Sequence, residues 1–258
     1  MSAIRSTASL LALLFLLPLG VRAAEPPDWV RDAPGRADYP LEEALCLRRH
    51  VKVELLPDGR CRRRVLTAVK VLQPIPFNRI GLGDPRVHFD AENQEIRVLQ
   101  ARTWLPSGRA IDTGANGRNV VFPDALAQAP DLARFRDLVV THLGIQEGAV
   151  ALLEYEIEDR RPPAWPCEGG LETQLPMPTL ELLIELSAPR EAGLQAAHLA
   201  PAGRRLAIET GVSEGRIRLA ATGRAVPAAP RQSDLLVYGT RSWEELETLL
   251  AARRGAMG

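Results

Sequence analysis

The stretch Leu45-Cys46-Leu47-Arg48-Arg49-His50-Val51-Lys52-Val53-Glu54-Leu55, then Leu56-Pro57-Asp58-Gly59-Arg60, then Cys61-Arg62-Arg63-Arg64-Val65-Leu66-Thr67-Ala68-Val69-Lys70-Val71, decides the fold. Leu45, Leu47, Val51, Val53 and Leu55 are apolar at odd positions, and Arg48, His50, Lys52 and Glu54 alternate with them, the period of a half-buried strand. Beyond the turn Val65, Val69 and Val71 are again odd. Residues directly opposite in an antiparallel pair share a face, so paired numbers must have an even sum. A two-residue Asp58-Gly59 loop violates that. A three-residue loop, with Gly59 left-handed in a bulge, satisfies it and pairs Leu45 with Val71, Leu47 with Val69 and Val51 with Val65. Cys61 then points inward opposite Leu55 and Cys46 outward, so these two cannot bridge each other.

The turn is echoed by Leu105-Pro106-Ser107-Gly108-Arg109, which predicts a second hairpin of one design. Ile96 and Val98 are apolar at even positions and Leu99, Ala101 and Leu105 at odd ones, a phase change that predicts a bulge near Val98-Leu99. Leu153, Tyr155 and Ile157 alternate with Glu154, Glu156 and Glu158. We read this acidic row, beside Arg62 and Arg64, as a solvated face and edge protection rather than as paired acid–base carboxylates, since nothing nearby raises a pKa. Leu180, Leu182, Ile184 and Leu186 predict a strand ended by Pro189. A hairpin through Leu206 and Ile208 turns at Glu214-Gly215 and returns through Ile217 and Leu219, and Leu235 with Val237 adds a short strand. Helical pattern is confined to residues 124–136 and the C-terminus. The expected class is mainly β: an antiparallel β-sandwich with a short internal helix and a C-terminal helix.

With 258 residues, 46% hydrophobic and 25% charged, the chain can bury a sizeable core. Its 32 basic and 32 acidic residues cancel, which removes the electrostatic footprint of a nucleic-acid binder. Arg5, the apolar run 10–19 and Val21-Arg22-Ala23 form a secretory signal over residues 1–24, with cleavage near Ala23 or Ala24 and a periplasmic or secreted mature chain. The run is too short for a comfortable membrane span, and no second run follows. Residues 25–239 form the sandwich module. Three cysteines, Cys46, Cys61 and Cys167, allow at most one internal bridge in that compartment. His50, His88, His142 and His198 are scattered without ligand spacing, so no metal and no cofactor is expected.

Ser242-Trp243-Glu244-Glu245 reads as a capping box that opens a helix over residues 240–258. Trp243, Leu246, Leu249 and Leu250 share one face, the candidate partner-docking surface. The alternative is that this helix folds back and caps the sandwich.

Trp29, Pro57-Asp58-Gly59-Arg60, Pro106-Ser107-Gly108, then Gly144-Ile145-Gln146-Glu147-Gly148 leading into Leu153-Glu154-Tyr155-Glu156, together resemble the transglutaminase-associated domain of unknown function numbered 3857. Ser242-Trp243-Glu244 resembles the entry to the transglutaminase-like domain that commonly follows, and the likeness covers roughly residues 37–250. It implies a β-sandwich in bacterial envelope or secreted proteins, placed N-terminal to a papain-like Cys-His-Asp catalytic domain. In that family all three catalytic residues lie beyond the point this chain reaches, so none is carried over. Cys167 sits in the loop Trp165-Pro166-Cys167-Glu168-Gly169-Gly170, whose prolines and glycines leave no helix N-terminus to activate a thiol.

The expected function is a non-catalytic accessory module that binds a transglutaminase-like protein or an envelope protein or glycan. A carbohydrate-binding module presenting Trp104 and Trp165 beside turns is a second reading, against the alternative that both plug the core. A truncated remnant of a larger enzyme is a third, and an enzyme using Cys167 a fourth.

Overall fold

The computed structural model describes residues 25–74, 83–129, 131, 134–163, 167, 169–198, 206–229 and 235–239. In chain order the short helix α1 (Asp28–Arg31) precedes β1 (Ala44–Leu55), β2 (Cys61–Val71), β3 (Arg86–Asp90), β4 (Gln94–Trp104), β5 (Ala110–Asp112), β6 (Arg118–Val121) and β7 (Phe135–Val140). There follow β8 (Val150–Asp159), β9 (Gly169–Leu171), β10 (Thr179–Pro189), β11 (Leu194–His198), β12 (Ala207–Ser213), β13 (Arg216–Val226) and β14 (Leu235–Gly239).

Eight strands form one sheet in the order β12-β13-β10-β1-β2-β8-β4-β5, and two three-stranded sheets, β11-β14-β9 and β3-β7-β6, complete the described fold. The class is mainly β, as the alternation requires. The large sheet is mixed rather than purely antiparallel, because β1 and β10 run parallel at its centre. The predicted turn forms: Leu55 faces Cys61, Leu56 and Arg60 close a three-residue loop, and Gly59 takes φ +85°. Gly108 repeats it at φ +82° between Leu105 and Arg109.

The register of this hairpin holds at Val51 opposite Val65 and fails beyond Arg48, where the β1 ladder shifts by one residue. Cys46, not Leu47, faces Val69, and Leu45 faces Lys70. Leu47 is the additional residue of a bulge, which hands Ala44 and Cys46 to the face that Val51 and Val53 occupy and turns Leu45 and Leu47 to the other. Cys46 is therefore fully buried instead of pointing outward. The bulge expected near Val98-Leu99 is present, since β4 slips against β8 between Val98 and Gln100. The helical reading of 124–136 is overturned: a 3-10 turn covers Asp124–Leu126, and Phe135 already opens the central strand of a small sheet. A proline at 130 cannot continue a helix, and Leu138 and Val140 are buried at alternate positions, as a strand requires.

On one face of the large sheet Val53, Ile184, Leu186 and Leu219 pack beneath Leu171, Leu194, Leu235 and Val237 of the β11-β14-β9 sheet. Farther along that face Ala101, Leu153 and Ile157 pack beneath Val87, Phe89, Leu138 and Val140 of β3 and β7. The opposite face is apolar only in part. There Leu45, Leu47, Ala68, Trp104, Val150 and Leu152 are covered by Val30, with Trp29, Ala33 and Tyr39 alongside. The Trp29 and Trp104 rings meet edge to face at 5.8 Å and the Arg48 guanidinium lies 4.8 Å from the Trp29 centroid, both favourable to aromatic quadrupoles. Lys70 Nζ donates to the Ala33 carbonyl at 2.7 Å, fastening the same segment.

Cys61 and Cys167 form a disulfide that closes 106 residues of sequence, tying the start of β2 to the segment entering β9. Cys46 is the free cysteine, and burial pushes its thiol up to about 11. Thiol titration of oxidised native protein should find no accessible thiol, denaturation should reveal one, and reduction all three. Replacing both bridged cysteines by serine should lower unfolding free energy by about 2–5 kcal/mol in denaturant titration. Two reactive thiols in the native protein would refute the pairing.

Candidate functional site

The uncovered part of the second face carries charge in alternating columns. The even residues of β1, β2 and β8 lie side by side there, as the registers Glu54↔Arg62, Arg62↔Glu158 and Arg64↔Glu156 dictate. Glu158 accepts from Arg60 at 2.6 Å and from Arg62 at 2.8 Å, Glu154 from Arg64 at 2.7 Å and Glu156 from Arg97 at 2.5 Å. Lys52 meets Glu185 at 3.0 Å, and His50 bonds Glu181 at 2.5 Å. Hydrogen bonds from Arg62 hold the Glu158 carboxyl below the usual carboxylate range, and Glu158 in turn raises Arg62. This acid stays ionised at neutral pH, so it can anchor cations but cannot donate a proton as a general acid. β8 lies between β2 and β4, so the glutamate row protects no edge and serves instead as the anionic column between two cationic ones.

A second polar cluster lies on the covered face. Arg49, at an odd position of β1, lines a cleft with Thr67, Val69, Pro85, Arg86, Val87, His142, Leu153, Tyr155, Glu172 and Met177. Arg49 donates to Glu172 at 2.9 Å and to Thr67 Oγ1 at 3.2 Å, while its buried Nε has no partner. His142 is 4% exposed, its Nδ1 lies 3.5 Å from Thr103 Oγ1, and burial lowers its pKa to about 4 against an opposing pull from Asp84. The cleft volume of about 110 Å³ admits a few waters and falls below the several hundred Å³ of small-molecule pockets. The signal for this cluster was present in the sequence: Arg49 is the one charged residue in an otherwise apolar odd row.

The residues expected from sequence to carry function fare differently. Trp243, Leu246, Leu249, Leu250 and Trp165 lie outside the described residues, as do residues 1–24, where a secretory signal is expected. Trp104 is 5% exposed against Trp29, so it is core and offers no sugar platform. The Cys167 sulfur is held in its disulfide and presents no thiolate. Among the described residues no group of three His, Cys, Asp or Glu side chains could hold a metal ion, and no helix is long and apolar enough to cross a membrane.

A family model described as Domain of Unknown Function with solved-structure structure (DUF3857) matches residues 57–230. None of the curated proteins matches the chain. Among solved structures, a proposed protease from Parabacteroides distasonis is similar over 82% of this chain and 43% of its own, with a TM-score of 0.71 and 21% identity. That likeness is one of fold, and this chain spans less than half the length of that protein. An M1 zinc metallopeptidase from Deinococcus radiodurans aligns over 71% of this chain and 38% of its own at 15% identity, but its TM-score of 0.28 marks no shared architecture.

The buried His142 makes stability depend on acid. Its folded pKa of about 4 lies below the ordinary 6.5, so as pH falls the unfolded chain takes up the proton first. The contribution is intact above about pH 6.5 and is lost as pH falls toward 4. Between pH 7 and pH 5 the native protein should lose about 2 kcal/mol more than His142→Gln in paired denaturant titrations. Parallel pH curves for the two proteins would remove this account of the histidine.

Proposed function

This chain belongs to the DUF3857 family, and from that premise we propose that it acts as a non-catalytic accessory module exported from the cytoplasm. In this reading it binds and positions a transglutaminase-like domain, or an envelope protein or glycan. The observation that carries the proposal is that the same fold makes up 43% of a longer protein described as a protease, so this architecture occurs as one part of a larger polypeptide. Export is supported by the Cys61–Cys167 bridge, since such bridges persist in oxidising compartments. The non-catalytic assignment is supported by the state of the thiols, with Cys46 buried and its pKa raised and the other two bonded.

Periplasmic extraction followed by N-terminal sequencing should return a chain starting at Ala24 or Glu25; recovery of intact Met1 in the cytoplasm would end the export reading. For the partner, the mature chain and a version ending at Gly239 should be titrated calorimetrically with a separately expressed transglutaminase-like domain. Binding by the full chain, lost in the shortened one and in Trp243→Ala, is expected. Unimpaired binding by the shortened chain moves the contact to the sandwich, and no binding by either rejects the role. Retention on peptidoglycan in place of the protein partner would favour the wall-binding alternative.

A further inference from the structure

The two edges of the large sheet are treated differently. At one end β5 has three residues, and its Asp112 is held by Arg102 at 2.6 Å, so little backbone is offered to another strand. At the other end β12 has seven residues, every one exposed, and pairs with β13 alone among the described strands. It carries no lysine, no proline and no bulge, the usual devices against strand addition.

The free side of β12 has a definite chemistry. The Glu214-Gly215 turn, with φ of 53° and 72°, closes on Ser213 and Arg216, so the exchanged backbone bonds to β13 fall on odd positions of β12. Ile208, Thr210 and Val212 therefore direct their N–H and C=O groups away from the sheet. Their side chains share the face of Leu219 and Ala221, yet Ile208 is 36% and Val212 60% exposed. Glu209 and Gly211 lie on the charged face, and Gly211 pairs with Arg218.

Gly211 is unexplained by its own protomer. A Cβ there would meet nothing within 4 Å, and the residue does not occupy the left-handed region. Glycine weakens a strand interior, and where the ladder carries no bulge, as here, it often marks a bend or a place where a ligand or another backbone approaches closely.

We propose that β12 is a homodimer interface, in which two copies pair antiparallel about a two-fold axis through Thr210 and join their large sheets into one. This register sets Ile208 opposite Val212 of the second copy and Glu209 opposite Gly211, and it uses the whole strand. Centring on Glu209 would oppose two carboxylates, and centring on Gly211 would shorten the overlap. In the favoured register each Glu209 carboxylate reaches across the glycine gap toward Arg218 of the second copy. That arginine side chain is 59% exposed, and among the described residues its ion pair is a 3.6 Å contact with Glu214. The surface is isologous, as a two-fold interface must be, and its occupant is a second copy because β12 complements itself in apolar pairing and in charge.

Sedimentation velocity on the full mature chain tests this. A dimer is expected, with the monomer fraction rising on dilution. Thr210→Pro removes an outward N–H without touching the β13 ladder, and Val212→Lys charges the apolar pair. Each should give monomer with unchanged circular dichroism and Tm. Should either variant fail to fold, Thr210→Cys supplies the readout, since mild oxidation should cross-link two copies through that residue. A wild-type chain that stays monomeric up to about 0.2 mM, a dimer indifferent to both variants, or a Thr210→Cys protein that does not cross-link would each overturn the proposal.

Discussion

A strand at the centre of a broad sheet can bury both faces only where something covers each of them, and β1 meets that constraint by changing phase at Leu47. Beyond the bulge Val51, Val53 and Leu55 face the β11-β14-β9 sheet. Before it, Ala44 and Cys46 stay on that side while Leu45 and Leu47 turn to the opposite one. All four residues Ala44 to Leu47 are buried, which a strand of strict alternation with one wet face cannot achieve. The N-terminal segment with Trp29 is the necessary complement, because without it Leu45, Leu47, Trp104, Val150 and Leu152 would form an apolar patch on the sheet. The phase change in β4 follows the same logic: its bulge lets Ile96, Val98 and Ala101 all pack under β3 and β7, while Trp104 turns to meet Trp29.

The second face is thus divided between two solutions to one problem. Where the N-terminal segment reaches, the sheet is apolar. Where it does not, the anionic residues of β10 and β8 flank the cationic residues of β1, β2 and β4, and these solvate the surface and satisfy one another. Exposed pairs of this kind contribute little individually to stability. Their larger effect is on register, since a one-residue slip of β8 would set Glu154, Glu156 and Glu158 on the buried face.

Most of the strands and both Pro-x-Gly turns were legible because a half-buried strand writes its burial into a period of two. The bulge in β4 was legible for the same reason, since its apolar phase visibly switches. The bulge in β1 was hidden by an accident of chemistry: Leu45 and Leu47 are apolar like Val51 and Val53 but face a different cover, so the odd row looks continuous. The small, buried Ala44 and Cys46 between them were the residual signal. The β3-β7-β6 sheet was missed because Leu138, Val139 and Val140 form a short apolar run after a stretch of helix-like spacing, and periodicity alone does not separate the two. Arg49 and His142 could be seen as residues but not as neighbours, because a parallel β1–β10 pairing and two covering sheets bring them into one cleft.

The last described strand links these elements. β14 is the middle strand of its sheet, bonded to β11 on one side and β9 on the other, and Gly239 pairs with Leu194. β9 begins just after Cys167, whose bridge fixes it to Cys61 at the start of β2. β14 is therefore bonded on both sides, packed through Leu235 and Val237 on the large sheet and tied to it covalently through β9. A strand held in this way cannot be displaced without breaking two ladders and opening an apolar core.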